Sequence, residues 1–166
     1  MFDFAETVLI AAPHREVWAL LSDIDCWWLA SNPDHASLEH LDSLAPTDLG
    51  ARMRIREKIG GIPGTADGLI TAVEPGTAVT WEAEARYGWF GLSIRVIEGV
   101  TWRVEPQSDS MTRVSARVWA IFGSNVVGRL AAFAFVHLLN GVEKDREHTR
   151  TELRFLKQRI ESSSKT

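Results

Sequence analysis

From residue 49 to residue 122 the chain alternates between polar and apolar positions. Arg52, Arg54, Arg56 and Lys58 share one phase, and Met53, Ile55, Glu57 and Ile59 share the other. Val79, Trp81, Ala83 and Ala85 interleave with Thr80, Glu82, Glu84 and Arg86, and Val114, Ala116 and Val118 interleave with Arg113, Ser115 and Arg117. Successive side chains of a strand point to opposite faces, so a sustained period of two marks half-buried antiparallel strands. Gly60-Gly61-Ile62-Pro63-Gly64, Pro75-Gly76 and residues 106–109 punctuate the pattern as a loop and two turns. Strands are expected over residues 49–59, 65–74, 77–87, 93–105 and 111–122, with a weaker one over 37–44.

A sheet with one apolar face must be covered, and the flanking segments supply the cover. Residues 4–11 read as a first strand. Pro13 suits the first turn of a helix, where a missing N–H costs nothing, and Val17, Trp18, Leu20 and Leu21 come next at helical spacing. A second short helix is expected over 25–30, ended by Asn32-Pro33-Asp34 because the residue before proline disfavours the α region. Beyond Gly123 or Gly128 the pattern is helical. Ala134, Leu138, Val142, Thr149, Leu153, Leu156 and Ile160 form one stripe at spacings of three, four and seven, and Asn140-Gly141 is the expected bend. The order predicts an α+β fold: a curved seven-stranded antiparallel sheet around a long C-terminal helix, with two short helices between strands 1 and 2. A single domain is expected over 1–161, with a disordered tail over 162–166.

Charge and cysteine content narrow the function. A net charge of −4 does not provide the clustered basic stripe of a nucleic-acid surface. Cys26 is the only cysteine, so an intrachain disulfide and a thiolate metal cluster are excluded; it is expected to pack beside Trp27. The first ten residues lack the basic and long apolar regions of a signal peptide, and the expectation is a cytoplasmic protein. The most apolar window, residues 126–139, is shorter than the about 20 residues of a spanning helix and contains Arg129 and His137. No transmembrane segment is expected. The window reads as a buried helix, with a homodimer face or docking surface as the alternative.

Several passages are similar to the START/SRPBCC superfamily, the helix-grip fold of polyketide cyclases and the birch-pollen allergen. Ala12-Pro13-His14-Arg15-Glu16-Val17-Trp18 resembles its opening, where a proline after the first strand begins the first helix. Ser22-Asp23-Ile24-Asp25-Cys26-Trp27-Trp28 is similar to its D-x-D-x-W passage. Gly50 opens the third strand as it often does in the family, and residues 151–161 resemble the L-x-x-L-K-x-x-x-E end of the last helix. The resemblance covers nearly the whole chain. It implies a cavity between the concave sheet face and the last helix, and it leaves open a range from lipid carriers to aromatic-ring cyclases.

The residues that share the inward phase are the candidates for chemistry. Glu57 is in phase with Met53 and Ile55, Glu98 with Ile94, Val96, Val100 and Trp102, and Asp145 falls within the helical stripe. A carboxylate in an apolar site pairs or becomes neutral, and either outcome serves acid–base work. Alternatives stand beside each: solvent for Glu57 near a strand end, a bulge at Gly99 turning Glu98 outward, and a structural hydrogen bond for Asp145. His137 flanks the stripe, while His148, His35 and His40 form no local motif with a carboxylate, so no metal and no cofactor are expected. No nucleophile elbow or phosphate loop is present. Of the seven tryptophans, Trp81 and Trp102 fall in the inward phase. Trp89 and Phe90 sit among glycines as rim or gate candidates, and Trp119 shares the outward phase with Arg117. These residues lead to binding of a hydrophobic small molecule (a lipid, a polyketide-like aromatic or an isoprenoid), with a polyketide cyclase/dehydratase using cavity carboxylates as the second expectation and a protein-interaction module as the third.

Overall fold

The computed structural model describes residues 1–89 and 91–163, with the side chains of all of these except Trp89. The alternating segments build one sheet. Its strands are β1 (Phe2–Ile10), β2 (His35–His40), β3 (Arg52–Ile59), β4 (Ile62–Glu74), β5 (Ala78–Trp89), β6 (Leu92–Ser108) and β7 (Met111–Phe122). All neighbours are antiparallel, in the order β1-β7-β6-β5-β4-β3-β2. From β2 to β7 the chain is therefore a meander, and β1 closes the far edge against β7 with Phe2 opposite Ala120 and Ile10 opposite Thr112. On one face Arg54 of β3 pairs with Asp67 of the neighbouring β4, and Arg103 of β6 reaches past β5 to Glu74 of β4. Val79, Trp81, Ala83 and Ala85 are all buried on the other, which is the phase expected from alternation.

Several strand boundaries shift from expectation, two of them for clear local reasons. β2 ends at His40 rather than continuing to 44. The Asp42 carboxylate accepts from the backbone N–H groups of both Leu44 and Arg52, and this turns the chain away from the sheet. The loop expected over 60–64 contracts to the two residues Gly60 and Gly61, with φ of 60° and 84°. Positive φ at both positions is what a tight hairpin turn requires and what glycine allows, so β4 begins at Ile62.

Helices α1 (His14–Ser22) and α2 (Ile24–Ser31) carry the chain from β1 to β2 at the opposite edge. Pro13 precedes α1 with φ −60°, and Asn32 ends α2 in an extended conformation ahead of Pro33. Trp27 is fully buried, meets Trp102 edge-on at 6.3 Å, and donates its indole N–H to the Leu21 carbonyl at 3.1 Å. Thr112 donates its hydroxyl to the Ala12 carbonyl, tying β7 to the start of α1. Cys26, expected to pack beside Trp27, is exposed and donates to Asp23 instead.

The C-terminal segment is two helices rather than one. Helix α3 (Val126–Phe133) runs into a π turn (Ala134–Leu138). Helix α4 (Gly141–Ser163) then departs at 70°. Asn140 makes the corner in the left-handed region, with φ 52°, at the expected bend. The π turn closes on a bond from the Leu139 N–H to the Ala134 carbonyl. Five-residue spacing inserts an extra residue into the turn and rotates the side chains beyond it. Leu138, expected on the buried stripe, is consequently 70% exposed. The whole window 126–139 corrects the expectation of a buried helix: Val126, Val127, Leu130 and Phe133 are exposed as well, while Ala131 and Ala134 face inward. The rest of the stripe holds, with Thr149, Leu153, Leu156 and Ile160 buried. α4 includes Ser162 and Ser163, two residues of the expected tail; residues 164–166 lie outside the described residues. No single helix among the described residues is long and apolar enough to cross a membrane.

Candidate functional site

Between the concave sheet face and the C-terminal helices lies a cavity in which the centre of a water-sized sphere can roam through about 120 Å³. One water needs roughly 10–15 Å³ by this measure, so the space fits a molecule of several heavy atoms. Its walls are mostly apolar. Met53, Ile55, Ile94, Val96, Trp81 and Trp102 come from the sheet. Phe2, Phe122 and Phe135, from β1, β7 and the π turn, meet with ring centroids 5.7–6.4 Å apart and line it as well. Trp81 lies flat over Gly68 of β4: a Cβ built there would come within 2.4 Å of the indole. Its indole N–H is buried and has no hydrogen-bond partner among the described residues.

Four carboxylates also line the wall: Glu57, Glu98, Asp145 and Glu152. Glu98 is not turned out by a bulge, since pairing is regular through Glu98 opposite Ala83 and Ala120. It accepts a hydrogen bond of 2.8 Å from the Tyr87 hydroxyl. Burial and the nearby Glu57 charge push its pKa up to about 8, against the lowering effect of the Tyr87 bond. Asp145 is buried on α4, and burial raises its carboxyl to about 7 despite the opposing pull of His148. Burial, with Glu98 beside it, drives the Tyr87 hydroxyl well above its ordinary value. The cavity therefore holds carboxyl groups that keep or exchange protons near neutral pH.

A second polar group joins three elements. His35 opens β2, Glu57 sits on β3, and His148 and Glu152 lie one turn apart on α4. The Nε2 atoms of His35 and His148 are 2.9 Å apart. Glu57 Oε2 is 3.5 Å from the first and 3.4 Å from the second, and Glu152 Oε1 is 3.1 and 3.7 Å from them. Behind His35 the indole of Trp28 stacks at 3.7 Å, and the Trp28 carbonyl is 2.6 Å from Nδ1. A carbonyl only accepts, so Nδ1 carries a proton and Nε2 is the atom that faces the cluster. Burial alone would lower the His148 pKa, but its contacts with Glu152 and Glu57 outweigh that and hold it at about 10. Glu152, which burial would raise, is held at about 2 by the two histidines.

Five of the eight residues selected from sequence phase meet at the cavity wall: Glu57, Trp81, Glu98, Trp102 and Asp145. His137 does not. The π turn rotates it outward, where it is exposed and packs its ring against Phe133 at 5.0 Å. The side chain of Trp89, and Phe90 as a whole, lie outside the described residues. Sequence reasoning missed the cluster because its members are separated by 113 positions between the histidines and show no local spacing. The one available signal is His148 and Glu152 at i, i+4 on a helix. Tyr87 also escaped, because its position beside Gly88 reads as the approach to a loop. Trp119, an outward residue by phase, lies over Gly99 across the β6–β7 pair, with the indole within 2.5 Å of a Cβ built there.

A seven-stranded antiparallel sheet gripping a C-terminal helix around such a cavity defines the helix-grip architecture of the START/SRPBCC superfamily. The sequence profile of one family in it, described as polyketide cyclase / dehydrase and lipid transport, matches residues 1–161, and the chain belongs to that family. No curated protein matches the chain. Among solved structures it is similar to a START superfamily protein from Mycobacterium smegmatis, at 16% identity over 96% of this chain and 97% of that one, with a TM-score of 0.66. It is similar to the Zhui aromatase/cyclase from Streptomyces sp. R1128, at 16% identity over 96% and 93%, with a TM-score of 0.72. A norcoclaurine synthase from Thalictrum flavum matches at 9% identity over 98% and 96%, with a TM-score of 0.67. At these identities the likeness is one of fold.

Proposed function

We propose that the chain binds a hydrophobic small molecule in the cavity, such as a lipid, a polyketide-like aromatic or an isoprenoid. The observation that carries this reading is the aromatic and aliphatic wall itself, interrupted by few polar groups. Burial of apolar ligand surface is worth roughly 25 cal/mol per Å², and a small number of polar groups fix orientation. The family description includes lipid transport, in keeping with a carrier. Native mass spectrometry and a panel of apolar fluorescent probes test the reading. Saturable binding at micromolar concentration is expected, with loss when Val96→Trp fills the cavity. Absence of binding to every probe sinks it.

A second reading is a polyketide cyclase/dehydratase-type reaction, favoured by Glu98. A carboxyl whose pKa lies near 8 both donates and accepts protons close to neutral pH, the property of a general acid–base group. The cavity would hold a flexible substrate in a reactive fold, with Glu98 in proton transfer to a carbonyl or hydroxyl and Tyr87 positioning it. The Zhui protein is described as an aromatase/cyclase. Turnover of poly-β-ketone analogues that Glu98→Gln abolishes without loss of binding supports this reading. Activity that survives alanine at Glu57, Glu98 and Asp145 together removes it.

A further inference from the structure

We propose that His35 Nε2, His148 Nε2 and a carboxylate oxygen of Glu57 form the protein face of a divalent transition-metal site of the Zn²⁺/Fe²⁺ kind, bordering the cavity. The site is independent of the identity of the apolar ligand.

The geometry is the first argument. The three atoms form a triangle with sides of 2.9, 3.4 and 3.5 Å. Its circumradius is about 1.9 Å, the same as the face of a tetrahedron whose bonds are about 2.05 Å long, the Zn–N and Zn–O range. A point at bonding distance from all three atoms therefore lies just off their plane. No side chain has to move far to accept an ion there. Glu57 and His148 both line the cavity, so an ion they hold borders it.

The supporting groups are the second argument. The ligating tautomer of His35 is fixed by Nδ1–H donation to the Trp28 carbonyl, with the ring held by stacking on the Trp28 indole. Such outer partners are typical of metal-bound histidine. The ligands come from two paired strands and a helix, not from loops, so the triangle is held in place before any ion arrives. Glu152 stands beside it, with Oε1 3.1 and 3.7 Å from the two ring nitrogens, placed as the acceptor for a metal-bound water.

Charge is the third. Of the carboxylates that line the cavity, Glu57 and Glu152 meet at the two histidines, and no lysine or arginine lines it among the described residues. A divalent cation offsets that excess at the point where two of the carboxylates converge. Two imidazoles and a carboxylate without a thiolate suit Zn²⁺ and Fe²⁺ rather than Cu⁺ or Ca²⁺. Three protein ligands leave a coordination position for water or a ligand oxygen, the pattern of catalytic rather than structural sites. The competing occupant is a proton shared between the two imidazoles, and the experiment separates the two.

Chelator-stripped protein is titrated with Zn²⁺ by calorimetry and with Co²⁺ by visible ligand-field absorption, alongside circular dichroism to confirm folding. The expected result is one ion per chain, with Co²⁺ bands of nitrogen/oxygen coordination. His148→Gln and Glu57→Gln should each weaken binding by more than the ~10–100-fold that loss of an outer partner causes, and Glu152→Gln should fall within that range. Should His148→Gln fail to fold, Glu57→Gln, at a half-buried position of similar shape, decides alone. No saturable binding overturns the proposal and assigns the contact to a shared proton. Binding unchanged in Glu57→Gln, or lost instead in His40→Gln at the exposed His40–Asp25 pair, overturns it equally.

Discussion

The Tyr87 hydroxyl donates to Glu98 Oε2 over 2.8 Å, although the backbone pairs Tyr87 with Ile94 and Glu98 with Ala83. The two side chains reach toward each other along the strands, on the cavity face. This bond favours the ionised carboxylate, but burial and Glu57 work against it more strongly, and the Glu98 pKa is near 8. Glu98 is therefore mostly protonated at neutral pH.

That shift has a sign for stability. The unfolded carboxyl titrates near 4.5 and the folded one near 8. Between those values the folded state binds more protons than the unfolded state, so this group's contribution to stability is present below pH 4.5 and falls as pH rises toward 8. The slope is at most about 1.4 kcal/mol per pH unit. Glu98→Gln removes the titration. Urea denaturation of both proteins across this window should show the variant gaining on the native chain as pH rises. A difference that stays constant with pH contradicts the assignment.

The contact of Trp81 with Gly68 predicts a steric effect. Gly68→Ala places a methyl 2.4 Å from the indole and 2.6 Å from the Glu82 carbonyl oxygen, and backbone cannot yield as a flexible side chain does. Overpacking of this kind costs about 1–3 kcal/mol. Loss of stability should appear with a shift in tryptophan emission, as Trp81 is pushed toward the cavity. Apolar probes should bind more weakly to the variant even where it is fully folded.

The sheet and the course of α4 were legible because period two and the three–four spacing are direct consequences of backbone geometry. Glu57, Glu98, Trp81 and Trp102, which share the inward phase, all lie on the cavity wall. What escaped was set by tertiary events. A single π turn reversed the exposure of His137 and Leu138, and no propensity marks where such a turn will form. The His35–His148 contact depends on α4 packing against β3 and α2, which local spacing does not encode. Phe2 and Phe135, far apart in the chain, stack at 5.7 Å only once β1 lies beside the π turn.

The exposure of α3 divides its apolar residues from those of α4. Leu153 is 2% exposed and Leu130 is 64% exposed. Leu153→Ala should cost about 2–5 kcal/mol through lost contacts and a cavity. Leu130→Ser should stay within about 0.5 kcal/mol, as surface changes do. Thermal unfolding of the two variants checks the division. A Leu130→Ser loss approaching that of Leu153→Ala at low protein concentration would mean that the helix face is buried in the folded chain.

Asn140 holds the corner between the π turn and α4 at φ 52°. Left-handed backbone costs most residues about 1–2 kcal/mol, asparagine less and glycine almost nothing. The side chain itself is exposed, so substitution there tests conformation more than contact. Asn140→Gly should preserve stability within a few tenths of a kcal/mol, and Asn140→Ala should lose about 1 kcal/mol in urea denaturation. The same corner aims Phe135 and Leu139 at the cavity. Alanine favours a continuous helix through residue 140, which would swing those two side chains off the wall. Asn140→Ala should therefore weaken apolar-probe binding by more than its stability loss explains, while Asn140→Gly leaves binding near the native value. Equal behaviour of the two variants in both measurements would show that the left-handed corner does not control the wall.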